Sequence, residues 1–356
     1  MNMRSRLVTL RGSLLESHRS SISLLRRRYS QYPPRNFAPL LKSIGAPGAK
    51  HCRTLTTSIA KYEDQGAIDL GTPVDLTKLA GKSVVITGGA KGLGLAYVKA
   101  FVAAGAFVTV GDWDEITGNT ALAEHAPNTK FVKCDVRDWD SQVDLFEAAI
   151  AASPSKGIDV VLSNAGVFGS DDMATFQDPS GPPEKPDLRT LEVNLMGSLY
   201  TAKLAMHYFR RHDADDPSRD RCLVIKGSLS AYLDQPGFVQ YNTSKFGSRG
   251  LFRSLRRTSW TEGIRVNFVA PWYVRTPLLS AVSDYLDSQG VNYASAEDCA
   301  EVVLNIASNR TMNGRAIGIV PREQVSKGYL DLALDDYKEG EVIKEFQDIV
   351  LRTSGL

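Results

Sequence analysis

The sequence predicts an α/β fold: a doubly wound, seven-stranded parallel sheet with helices on both faces. Two observations carry this expectation. From Lys82 onward, β-branched runs of five to eight residues alternate with helical patterns, the signature of strands joined by helical crossovers. A glycine-rich turn also follows the first of these runs directly and opens a helix.

The elements follow in order. "KSVVITG" (82–88) reads as strand one and "GLGLAYVKAFVAAGA" as the helix after it. "FVTVGD" (107–112) and "TKFVKCDV" (129–136) are strands two and three, and a helix covers about 139–152. "IDVVLSNAG" (158–166) is strand four, and a long helical pattern spans 187–212. "RCLVIKGS" (221–228) is strand five, "IRVNFVA" (264–270) strand six and "GRAIGIV" (314–320) strand seven. No internal repeat appears. The expected organisation is a domain over 81–321, preceded by a lead-in at 61–80 and followed by a helical extension over 322–356.

Residues 1–60 are a different kind of sequence. They carry eleven Lys or Arg against one acid, Glu16, so the rest of the chain is net acidic. An Arg-rich, Ser-rich, acid-poor start is the composition of a mitochondrial transit peptide, and "RRRYS" (26–30) suits a matrix-protease cleavage site. The expectation is a disordered basic segment addressing the mitochondrial matrix, with a cytoplasmic protein as the alternative. At 356 residues, 43% hydrophobic and 23% charged, the chain has ordinary globular composition, and a net charge of +2 does not suggest nucleic-acid binding. Its four cysteines (Cys52, Cys134, Cys222, Cys299) are scattered without zinc spacing or a disulfide framework. No apolar run approaches the ~20 residues of a membrane span.

In "TGGAKGLGL" (87–95), Gly88, Gly92 and Gly94 let the backbone turn tightly and approach a pyrophosphate at a helix N-terminus. The expected fold is therefore Rossmann-type. Eighteen residues beyond Gly94, Asp112 ends strand two. A carboxylate there accepts hydrogen bonds from ribose hydroxyls and repels a 2′-phosphate, which favours NAD over NADP. Lys91 argues the other way, although its long side chain can swing into solvent.

"GFVQYNTSKFG" (237–247) places Tyr241 and Lys245 four apart, hence on one helical face. Alone, that spacing is an ordinary exposed pair. In company it means more. "TGGAKGLG", "CDV", "SNAG", "LEVN", a serine thirteen residues before the tyrosine, and "YNTSK" stand in the order seen in the short-chain dehydrogenases/reductases. Over 82–321 the chain resembles that family, most nearly the 15-hydroxyprostaglandin dehydrogenases and fungal polyketide alcohol dehydrogenases of the 5′-hydroxyaverantin type. The resemblance implies that Tyr241 is the acid/base, that Lys245 assists it, that Ser228 bonds the substrate oxygen and that Asn194 holds a relay water. It further implies cofactor contacts from Leu93, Asp135, Val136, Asn164, Ala165, Gly166 and Thr276, and a homodimer or homotetramer. Two departures stand out. Ser163 replaces an asparagine, and Trp272 stands where the family has glycine, which puts the local turn in doubt.

The chemistry expected of the pair is alcohol oxidation, or ketone reduction in reverse. A free phenol has a pKa of ~10 and is a poor base. An ammonium ~4 Å away at an effective dielectric of ~20 contributes about 4 kcal/mol toward the phenolate, so the lysine is expected to lower the tyrosine's pKa. Phe168, Ser230, Phe238, Trp272 and Tyr273 are candidate substrate contacts, suggesting a hydrophobic or polycyclic alcohol. No metal site is expected. The alternatives are an NADPH-dependent ketoreductase and a dinucleotide-sensing binding protein without turnover.

Overall fold

A computed structural model describes residues 75–169, 171–173, 180–211, 219–332 and 336–353. The transit-peptide reading of 1–60 and most of the lead-in lie outside the described residues. The chain divides into two units, one formed by residues 55–341 and the other by 1–54 with 342–356.

The larger unit is built on a single sheet: β1 (Ser83–Thr87), β2 (Phe107–Asp112), β3 (Thr129–Lys133), β4 (Val160–Ser163), β5 (Arg221–Lys226), β6 (Ile264–Pro271), β7 (Ala316–Ile319) and β8 (Tyr329–Asp331). Their spatial order is 3-2-1-4-5-6-7-8. Chain direction across the sheet therefore reverses between β1 and β4, which opens a crevice at their carboxyl ends, where ligands bind in such folds. Strands β1 to β7 pair in parallel, as the sequence implies. The eighth strand corrects the expected seven. Residues 329–331, read from sequence as part of a helical tail, pair antiparallel with β7. Three residues are too short for a period-2 pattern to show. Asp331 is held there by Arg315 and Asp336 by Arg256.

Helices cover both faces: α1 (Gly92–Ala103), α2 (Glu115–Leu122), α3 (Trp139–Ala152), α4 (Gly197–Arg211), α5 (Val239–Arg256), α6 (Ser283–Ser288) and α7 (Ala296–Ser308). One apolar cluster packs α1 and α7 against Ile86, Val110, Leu162 and Val224. The other packs α3, α4 and α5 against Val85, Val161, Leu223 and Phe268. Adjacent residues of one strand thus serve opposite layers, as the pleat requires. In the smaller unit, α8 (Val342–Thr353) is an amphipathic helix. No helix among the described residues is long and apolar enough to cross a membrane.

Candidate active site

The crevice is assembled from strand ends and the loops that leave them. After β1 the chain makes its glycine-rich turn, with φ of +68° at Gly88 and +57° at Gly92. A Cβ on Gly94 would lie 1.9 Å from the Gly88 carbonyl oxygen. Only glycine permits so close an approach of helix to turn. Asn164 ties the turn to the end of β4, its side-chain amide donating to Thr87 O and Gly88 O, both at 2.8 Å. At the N-cap of α1, Lys91 makes no side-chain capping bond, whereas Asp114, Asp138 and Ser295 cap their helices. The first amides of α1 are left open to an anion.

At the end of β2, Asp112 is 5% exposed. One carboxylate oxygen accepts from Ala90 N–H at 3.0 Å and the other from Asp114 N–H at 3.1 Å. The carboxylate therefore holds the turn in shape and keeps lone pairs for a hydroxyl. Lys91 points elsewhere, toward Asp114 at 3.6 Å and over the Trp113 ring. A tight glycine turn, an open helix N-terminus and a carboxylate at the end of the second strand together fit a dinucleotide. Asp135 and Val136 follow β3. The Asp135 carboxylate is paired with Arg137, and the Val136 side chain is core packing.

The chemical groups stand on the β4–β6 side. A cavity of about 150 Å³ is lined by Leu93, Lys226, Ser228, Ser230, Tyr241, Trp272, Tyr273 and Thr276, with Phe168 and Leu279 among its apolar walls. Thr276 faces the glycine turn across the crevice, its Cβ 3.4 Å from the position of a Gly92 Cβ. Phe238 lies one ring back, stacked on Phe168 at 4.8 Å, while Phe168 meets the Tyr241 ring edge-on at 5.0 Å. The start of α5, which presents Tyr241, is held by the Asp171 carboxylate accepting from Gln240 N–H.

Asn194 sits in a π-helical turn, Glu192–Met196, just before α4. Its side chain exchanges two hydrogen bonds with Val167, accepting at 2.7 Å and donating at 2.9 Å, and also donates to Ser244 Oγ at 3.2 Å. The side chain is thus committed to pinning the 164–167 loop against α5. The doubt about Trp272 resolves simply. Among the described non-glycine residues only Lys156 has positive φ, so position 272 asks nothing of glycine. Its N–H bonds Ile319 O at 2.8 Å, extending the β6–β7 ladder, and its ring forms cavity wall.

The expected lowering of the tyrosine's pKa is not what the free protein has. Burial pushes the Tyr241 phenol up to about 12, with the Ser228 hydroxyl opposing the shift. The same burial drives Lys245, 2% exposed, well below its ordinary value, and the Lys226 charge adds to that. Desolvation weighs against the very ammonium that was to stabilise the phenolate. Lys226 was missed from sequence. It ends the strand "RCLVIK", where a charge closing the apolar run two residues before Ser228 was the available signal. No group of His, Cys, Asp or Glu suited to a metal occurs among the described residues.

The chain resembles known proteins in sequence and in fold. Residues 82–286 match the family described as short chain dehydrogenase. The chain is 36% identical over 302 residues to 5′-hydroxyaverantin dehydrogenase of Dothistroma septosporum, covering 80% of this chain and 96% of that protein. It is 33% identical over 217 residues to an NADP-dependent dehydrogenase of Cochliobolus lunatus, covering 58% of this chain and 76% of that protein. In fold it resembles the 3-ketoacyl-(acyl-carrier-protein) reductase of Brucella melitensis, solved with NADH, at a TM-score of 0.60 and 23% identity over 68% of this chain and 97% of that one. Fold and site define an oxidoreductase that uses a nicotinamide dinucleotide. The chain belongs to the short-chain dehydrogenase family and is a short-chain alcohol dehydrogenase/reductase.

Proposed function

We propose that the protein interconverts a hydrophobic secondary alcohol and its ketone with NAD, using Tyr241 as the proton-transferring group. The observation that carries the reading is the convergence of Tyr241 and Ser228 on one apolar-walled cavity beside the glycine turn. The dinucleotide supplies or accepts the hydride. Tyr241 passes a proton to or from the substrate oxygen, and Ser228 donates a hydrogen bond to that oxygen as its charge changes. Lys245, one turn along α5, favours the phenolate form of Tyr241 when its amine is protonated. Asn194 acts by position, through Val167 and Ser244. Asp112 supports the preference for NAD, and the aromatic walls support a flat or polycyclic substrate.

A second reading is reduction with NADPH. The neutral phenol of the free protein is a proton donor, which suits ketone reduction. Lys91 beside the turn and a relative named as NADP-dependent favour the phosphorylated cofactor. Fluorescence titration of the protein with NADH and with NADPH decides between them. Tight NADH and weak NADPH binding supports Asp112 as selector, and the reverse overturns it. Tyr241→Phe should bind cofactor normally and lose turnover; binding without turnover in the wild type would favour a sensor.

The exposed apolar side chains Leu199, Val239 and Phe246 on α4 and α5 support a homodimer or homotetramer. Matrix import through residues 1–60, against a cytoplasmic location, is tested by placing a fluorescent fusion with and without that segment.

A further inference from the structure

Lys226 is a second lysine in the site, and nothing in the proposed chemistry uses it. It lies on the face of β5 shared with Val224, toward α1 and α7, at the strand's carboxyl end. Its Nζ is 3.7 Å from the point a Gly166 Cβ would occupy, and the Lys245 Nζ is 3.6 Å from the same point. Two lysine heads therefore approach the same glycine, and of the two Lys226 lines the cavity. Lys226 makes no hydrogen bond or ion pair among the described residues. The carboxylate in the cavity lining, Asp234, is exposed and sits on the loop before α5. A half-buried cation without a carboxylate partner is costly and repels further positive charge.

The oxidised and reduced nicotinamides differ by one unit of positive charge on the ring. That ring has to enter this cavity, because the Tyr241 phenol and the Ser228 hydroxyl face it. We propose that Lys226 is a specificity-determining residue for the redox state of the cofactor: its ammonium disfavours the cationic nicotinamide and biases the site toward the reduced dinucleotide. The inference rests on the proposed dinucleotide chemistry and deepens it, since a site that retains the reduced form is poised to reduce a ketone. Burial lowers Lys226 to about 8, so the bias operates at neutral pH and fades above it. Of the groups facing Lys226, the thiol and the phenol lie above this window. Cys299 on α7 and Tyr241 on α5 are each pushed up to about 12, while Lys245 is lowered by the same burial and by the Lys226 charge, so Lys226→Met separates the two lysines.

The test is calorimetric titration of the full-length protein with NADH and with NAD⁺ at pH 7 and pH 9. The wild type should prefer NADH by at least tenfold at pH 7, and the preference should narrow severalfold at pH 9. Lys226→Met, which fills the same space without charge, should reduce the pH 7 preference about tenfold and make it independent of pH. Lys226→Arg should retain it. A wild-type preference that is flat with pH, or one that Lys226→Met leaves unchanged, overturns the role of Lys226 while the cofactor reading stands. Failure of the wild type to bind either dinucleotide overturns both.

Discussion

Replacing Gly94 with alanine puts the dinucleotide cradle to its most severe test. The added Cβ would lie 1.9 Å from the Gly88 carbonyl oxygen, 2.9 Å from the Gly88 carbonyl carbon and 2.7 Å from Asn164 Nδ2. Contacts of Cβ atoms do not close below 3.0 Å, so at least 1.1 Å must be relieved, against backbone on one side. Neither the Gly88 peptide nor the first turn of α1 can move alone. Gly88 N–H bonds Gly111 O at 2.6 Å, and Gly88 O accepts from Asn164 at 2.8 Å. Overpacking of this kind costs about 1–3 kcal/mol, and loss of the Asn164 hydrogen bond adds about 1 kcal/mol. A total near 3 kcal/mol lowers the melting temperature by roughly 6–12 °C in a domain of this size. The displaced turn should also weaken NADH binding at least tenfold, because its amides no longer converge on one anion. Thermal unfolding and a fluorescence titration on the same sample measure both effects. Gly250→Ala in α5 is the control. Its Cβ meets nothing within 4 Å, and it should stabilise by about 0.5–1 kcal/mol. A Gly94→Ala protein that melts and binds NADH like the wild type would refute the reasoning.

Other outcomes follow from the same contacts. Asp112→Asn removes the charge yet keeps an acceptor for Ala90 N–H. It should raise NADPH affinity relative to NADH at least tenfold for a stability loss of about 1–2 kcal/mol, read by titration and melting. Asp159, 3% exposed among backbone N–H of Ser83, Lys82 and Arg219, is a buried hub. Its change to alanine should cost about 3–5 kcal/mol in denaturant unfolding. Lys226 carries a pH signature of its own. Its folded pKa of about 8 lies below the unfolded 10.5, so the unfolded chain binds more protons between those values. Wild-type stability should therefore rise relative to Lys226→Met as pH climbs from 8 to 10.5, by about 3 kcal/mol at most. A difference that stays flat across that window would mean Lys226 is already discharged or well solvated.

The primary structure by itself determined the alternation of strands and helices, the glycine turn at 88–94 and the pairing of Tyr241 with Lys245, while Ser228 joined them through the family resemblance. Each of these is written in local spacing: a run of β-branched residues, glycines where a helix meets a turn, two side chains one helical turn apart. The tertiary structure decided what depends on distant neighbours. The three residues of β8 become a strand because β7 offers them a free edge, not because of their own pattern. Trp272 is compatible with its position because the β6–β7 ladder continues through it in an extended conformation. Lys226 and Lys245 come together across 19 positions of sequence, through the meeting of a strand end with a helix face. The direction of the Tyr241 shift was decided the same way. Sequence spacing supplies the Coulomb attraction between lysine and phenol, but desolvation depends on everything packed around them, and in the free protein desolvation wins.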